Sequence, residues 1–164
     1  MTALDPLAIL SALARHGVDY VLIGQAAAVI WGHPETTMDV DVVARQEVDN
    51  AERLVSALHS IGARHRATEG PGPPPGERDF IGQRLQLSFD TDAGQLDVLP
   101  TAAGVGGYEE FAERATRVDI SGVEVLVASL DDVIASKEAA GRPKDLARLA
   151  RLRALRDRLR EAEH

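Results

Sequence analysis

The stretch Tyr20-Val21-Leu22-Ile23-Gly24-Gln25, followed downstream by Thr36-Thr37-Met38-Asp39-Val40-Asp41-Val42, decides the fold of this chain. Its first four residues read as a buried strand that Gly24 breaks. Gln25 to Trp31 is Ala-rich and helical until Gly32 and Pro34 end it. A strand, a Gly turn and a helix N-terminus form a natural cradle for phosphate. Met38 to Ala44 reads as the second strand. Side chains two apart on a strand share a face, so Asp39 and Asp41 project together while Val40 and Val42 enter the core. Two like charges held that close are costly unless a cation lies between them. Asp97, on a later strand, is a candidate third member. Such a trio suits a pair of magnesium ions, roughly 3.5–4 Å apart, clamping the oxygens of a phosphoryl transfer. The plainer alternative is the solvated face of a half-exposed strand.

The rest of the chain supplies a setting for that trio. Asp5 caps a first helix running to about His16, and Val18 to Ile23 forms the first strand. A helix follows the second strand from about Val48 to Ser60, with Ala51, Leu54, Val55 and Leu58 on one face. Ile61 to Ala67 begins another strand. Gly70-Pro71-Gly72-Pro73-Pro74-Pro75-Gly76 offers few amide donors and little packing, so a mobile surface loop is expected, an insertion more than a flap. Leu85, Leu87 and Phe89 alternate with polar residues. Thr91 to Gly94 then turns the chain into Gln95 to Leu99, a hairpin that sets Asp97 on the sheet. Gly104 to Gly107 lacks the Lys-Ser/Thr ending of a P-loop and reads as a connection into a helix from Tyr108 to Ala115. Arg117 to Ile120 and Val123 to Val127 make a second hairpin. Ser129 caps a helix bearing Lys137, and Gly141-Arg142-Pro143 ends it and starts the last helix.

Ile23-Gly24-Gln25, a short helix, and Thr36 to Val42 together resemble the signature of the polymerase-beta-like nucleotidyltransferase superfamily, in which a Gly-Gly or Gly-Ser turn precedes an Asp-x-Asp strand. Gln95 to Pro100 resembles the strand carrying that superfamily's third carboxylate. Ser129 to Lys137 with Arg142 to Asp145 resembles a C-terminal segment of small bacterial members, the abortive-infection type toxin nucleotidyltransferases. The resemblance spans Tyr20 to Leu149. It implies a minimal nucleotidyltransferase fold, an α/β (α+β) domain with a mixed sheet flanked by helices. Residues 1–128 would form the core and 129–164 a helical element packed on it. It further implies transfer of a nucleoside monophosphate from an NTP to an acceptor hydroxyl. Asp39, Asp41 and Asp97 would be the catalytic and metal-binding residues for two Mg2+ ions, with Mn2+ as a substitute. Gly24, Gln25, Lys137 and Asp145 would bind nucleotide. Two positions depart from the pattern: Gln25 stands where Gly or Ser is usual, and Glu35 where a basic residue is common. The Gln25 amide retains the ability to donate to a phosphate oxygen. A non-catalytic nucleotide- or partner-binding module of the same fold is the rival reading, and a purely structural domain a third.

Composition agrees with one domain: 164 residues suffice to bury a core. No apolar run of about 18 residues exists to span a membrane. The absence of a basic-then-apolar leader points to the cytoplasm. With no cysteine, thiolate zinc sites and a cysteine nucleophile are excluded. His16, His33, His59, His65 and His164 are scattered without the spacing of a zinc site; only His33, just before the Asp-x-Asp strand, is placed to touch a nucleotide. Trp31 is expected to pack at its helix end. The net charge of −8 argues against nucleic acid. Yet Arg142 to Arg160 is a basic helix with Leu146, Leu149, Leu152, Leu155 and Leu159 as its apolar stripe. Its arginines either face outward to hold RNA or pair with the domain's own carboxylates. The acceptor is therefore open between an RNA end, which fits the toxin resemblance and a cognate antitoxin partner, and a small molecule, as for the related antibiotic nucleotidyltransferases.

Overall fold

The computed structural model describes residues 2–163. Asp5 accepts a hydrogen bond from the Ala8 amide at 3.1 Å and caps α1 (Pro6–Arg15), whose first residue is a proline that lacks the amide a first turn cannot use. β1 (Tyr20–Ile23) and α2 (Gly24–Ile30) follow, then β2 (Val40–Ala44), α3 (Val48–Ser60) and a two-residue β3 (Arg64–His65). A 3-10 turn at Glu77–Asp79 leads to the hairpin β4 (Leu87–Thr91) and β5 (Gly94–Leu99). The chain ends with α4 (Tyr108–Arg114), the hairpin β6 (Thr116–Ile120) and β7 (Val123–Val127), α5 (Leu130–Ala140) and α6 (Pro143–Ala162).

The seven strands form one mixed sheet in the order β3-β4-β5-β2-β1-β7-β6. β2 runs parallel to β5 and β1 parallel to β7; the other neighbours are antiparallel. Every residue of β1 is buried, and so is each valine of β2; α2 packs on both strands and α4 on β1. Edge strand β6 has no buried residue. α1 packs on α3, α2 on α5, and α5 on α6. Ser129 accepts from the Asp132 amide to start α5, and Gly141, at φ 63°, ends it in the left-handed conformation.

Several segments depart from expectation. β2 begins at Val40, so Asp39 precedes the ladder and Met38 is 80% exposed. Strand β3 covers only Arg64–His65 of the expected Ile61 to Ala67, and Leu85, 78% exposed, lies outside β4. The proline-rich segment is tethered: the His65 amide donates to the Pro73 carbonyl at 2.8 Å, His59 Nε2 lies 2.8 Å from the Pro75 carbonyl, and the His65 ring pairs with Asp79. A side chain at Gly72 would collide with the His65 carbonyl, which is why glycine belongs there. On α6, Leu149, Leu152 and Leu155 are buried whereas Leu146 is 53% exposed and Leu159 38%. A spacing of three on a helix of about 3.6 residues per turn drifts around the axis, so the ends of the leucine row leave the contact face.

Candidate functional site

The parallel pairing of β2 with β5 sets Asp41 directly opposite Asp97, and Asp39 arrives from the loop that feeds β2. One carboxylate oxygen from each of the three residues lies within 4.8 Å of the others. Asp97 is 6% exposed and its Oδ1 has no hydrogen-bond partner. An all-carboxylate set of this kind suits a hard cation such as magnesium or manganese. Burial, followed by the charges of Asp39 and Asp97, pushes the Asp41 carboxyl up to about 8. Asp39 is raised by burial and by Asp97, with Lys144 and Arg66 opposing. Both shifts describe carboxylates crowded by like charge, and a cation would relieve them.

Gly24 is what lets the group close. Its φ of +66° lies in the left-handed region, and a Cβ there would stand 2.5 Å from Asp41 Oδ2. The β1 residue before it, Ile23, is the ladder partner of Asp41, so the turn and the carboxylate are set by one pairing.

The carboxylates open into a cleft of about 430 Å³ whose other walls include Gly24, Gln25, Thr101, Lys137 and Arg148. Lys137 is 6% exposed and its Nζ lies 3.6 Å from Asp145, which is itself fully buried and accepts from Arg142 Nε at 2.6 Å. Burial lowers the Lys137 ammonium below its ordinary value, with Asp145 opposing the shift. For Asp145 burial is the largest influence and acts upward, but the Arg142 hydrogen bond and the charges of Arg142 and Lys137 outweigh it and bring the carboxyl down. The seven residues singled out from the sequence, Asp39, Asp41, Asp97, Gly24, Gln25, Lys137 and Asp145, all line this one cleft.

Gln25 occupies its expected place with different bonding. Both hydrogens of its Nε2 are engaged, one by His33 Nδ1 at 2.9 Å and one by the Glu35 carbonyl at 3.1 Å. No side-chain donor of Gln25 remains for a phosphate oxygen. His33 is buried, with 3% exposed, and meets Gln25. Trp31 donates to the Ala128 carbonyl at 2.8 Å, a packing role. Gly104 lies against α5, where a Cβ would stand 2.6 Å from the Ala135 carbonyl. His164 lies outside the described residues.

Sequence reading missed the partner of Glu35. Arg148 Nε donates to Glu35 Oε2 at 2.7 Å across 113 residues, and Arg151 approaches the other oxygen at 3.8 Å. The missing basic residue before Thr36 is thus matched by an arginine that α6 brings to the same spot. Local sequence holds no signal for so distant a pair. The Arg142–Asp145 bond could have been found, because residues three apart at a helix start face one another.

The family described as nucleotidyltransferase of unknown function (DUF6036) matches residues 7–158. The chain belongs to that family. No curated protein sequence matches it. Among solved structures, this nucleotidyltransferase is similar to the lincosamide antibiotic adenylyltransferase LnuA in its lincomycin-bound form. The TM-score is 0.63 at 13% identity, over 94% of this chain and 99% of that one. It is similar also to ANT(2")-Ia in complex with adenylyl-2"-tobramycin, with TM-score 0.55 and 14% identity over 96% of each chain. TM1012 of Thermotoga maritima matches with TM-score 0.54 and 14% identity over 98% of this chain and 97% of that one. At these identities the likeness is one of fold, and it agrees with the mixed sheet and terminal helices of this nucleotidyltransferase.

Proposed function

We propose that the cleft transfers a nucleoside monophosphate from an NTP to a hydroxyl of a small-molecule acceptor, in a metal-dependent reaction in the cytoplasm. The observation that carries this reading is the convergence of Asp39, Asp41 and Asp97 within 4.8 Å beside the Gly24 turn. These three residues would hold the magnesium ions, or manganese in their place, and bound metal would neutralise phosphate charge and ease deprotonation of the attacking hydroxyl. The unpartnered Oδ1 of Asp97 is the proton acceptor for that hydroxyl. As the hydroxyl oxygen bonds to the α-phosphorus, the bond to pyrophosphate breaks. Lys137 offsets the charge on the departing group, and Asp145 holds Lys137 in place. Positioning and charge stabilisation carry most of the rate in such transfers. Residues 1–128 would supply the carboxylates and residues 129–164 the cations.

A small acceptor is favoured over RNA for two reasons. LnuA and ANT(2")-Ia carry antibiotics in their structures. In this chain Arg148, Arg151, Arg153, Arg156 and Arg160 of α6 each approach a carboxylate of the domain, which leaves little of the basic ridge for a phosphate backbone. No helix among the described residues is long and apolar enough to cross a membrane.

The test is label transfer from each of four α-labelled NTPs with Mg2+, into a panel of hydroxylated small molecules, total RNA and protein. The wild type is compared with the Asp39→Ala, Asp41→Ala double variant. Label in a small molecule that vanishes in the variant supports the proposal. Label in RNA, weakening as salt rises, would replace the acceptor with a nucleic acid and restore the toxin and antitoxin reading. Nucleotide binding without transfer would identify a binding module.

A further inference from the structure

Gln25 joins the two halves of the Asp39/Asp41 pair. It follows Gly24, whose missing side chain makes room for Asp41 Oδ2, and its amide reaches forward into the loop that delivers Asp39. Thr37 Oγ1 in that loop donates to the Asp39 carbonyl at 2.6 Å. From the other side, Arg148 of α6 holds the Glu35 carboxylate.

Chemistry fixes the orientation of the amide. A carbonyl can only accept, so the atom of Gln25 facing the Glu35 carbonyl must be the donor Nε2. His33 Nδ1 then receives hydrogen bonds from Gln25 Nε2 and, at 3.4 Å, from the Glu35 amide, so it carries no proton and the ring is the Nε2–H tautomer. Gln25 and His33 are both more than nine-tenths buried. A charged imidazole would set donor against donor. The groups facing His33 keep it neutral: burial acts first in lowering its pKa, Arg148, Lys137 and Arg151 push the same way, and Glu35 alone opposes.

We propose that Gln25 is a positioning residue for the metal-binding carboxylates, its amide locked by neutral His33 and by the Glu35 carbonyl so that the loop presents Asp39 to Asp41 and Asp97. The role rests on the transferase reading of the cleft. It gives the Gln25 side chain a task different from that of a phosphate ligand, because neither hydrogen on its Nε2 is free.

The test measures Mn2+ affinity directly, by the loss of the free-ion paramagnetic resonance signal, with no substrate present. Gln25→Met keeps length and apolar bulk but removes the amide. His33→Leu removes the acceptor, whereas His33→Asn restores one near the place of Nδ1. Gln25→Met and His33→Leu should weaken Mn2+ binding by about 10-fold or more, as loss of groups that orient metal ligands commonly does, while His33→Asn should bind close to wild type. Melting curves run alongside. Should Gln25→Met fail to fold, the two His33 variants decide. Equal Mn2+ affinity in wild type and all variants overturns the positioning role and leaves the metal site standing. A wild type that binds no Mn2+, like an Asp39→Asn, Asp41→Asn control, overturns the metal site itself. An NTP KM that rises in Gln25→Met with Mn2+ affinity unchanged would return Gln25 to direct contact with nucleotide.

Discussion

The carboxylates of the cleft and the arginines of α6 are both clusters of like charge, and the fold treats them in opposite ways. On α6 each of Arg148, Arg153, Arg156 and Arg160 is within 3.6 Å of a carboxylate from its own domain. In the cleft Asp39, Asp41 and Asp97 have one another as neighbours, and two cations of the same cleft, Lys137 and Arg142, pair with Asp145. Paired charge at a surface needs no further explanation. Three carboxylates gathered partly inside the protein carry a standing electrostatic penalty that a bound cation would relieve. The row of arginines is thus accounted for within the fold, whereas the Asp-x-Asp pair is not.

Breaking the cleft should give the largest effect. Replacing Asp39 and Asp41 together by alanine is expected to lower nucleotidyl transfer by about 1,000-fold or more, equivalent to about 4 kcal/mol of barrier. The metal-free melting temperature should hold or rise. Gly24→Ala attacks the same group through the backbone. Its Cβ would sit 2.5 Å from Asp41 Oδ2 at a φ of +66°. A loss of about 1–3 kcal/mol in stability is expected from the strain, together with a fall in transfer. Calorimetry and the label-transfer assay measure the two. The exposed ion pairs along the later turns of α6 should matter least. Arg153→Gln and Arg160→Gln, which break exposed contacts to Glu138 and Asp131, should each change stability by no more than about 1 kcal/mol and leave transfer unaltered. A large loss of activity in either would mean these arginines work in the reaction and would erase the contrast.

Much of this could be read from the chain because the deciding signals are local. The Val48–Ser60 helix and the Val123–Val127 strand match their expected bounds, since apolar period and turn residues define both. The hairpin of β4 and β5 follows from alternation and from a short turn. The sequence places Asp97 on a strand, and the parallel register of β2 with β5 sets it opposite Asp41. What escaped was set at a distance. Leu85 keeps the alternation of its neighbours but lies outside the ladder that would bury it. The proline segment looked free because its tethers, His59 and His65, stand on other elements. Gln25 looked like a phosphate donor until His33 and Glu35 claimed both its hydrogens. Side-chain hydrogen bonding between separate loops leaves no periodic trace.

The most direct test of the cation site is the melting temperature of the metal-free protein as a function of pH, for wild type and Asp41→Asn, with and without Mg2+. Asp41 titrates near 8 in the folded state, well above its ordinary value. Between the two values the native state holds a proton that the unfolded chain has released, so stability must fall as pH rises through that window. Above pH 8, Asp41→Asn should melt higher than metal-free wild type by roughly 4–8 °C, for about 2 kcal/mol of relieved repulsion in a domain of this size. Mg2+ should raise the wild type and cancel most of that difference, because binding to the native state alone stabilises it. A wild type that melts at the same temperature across the window, unmoved by Mg2+ and equal to Asp41→Asn, would contradict the account.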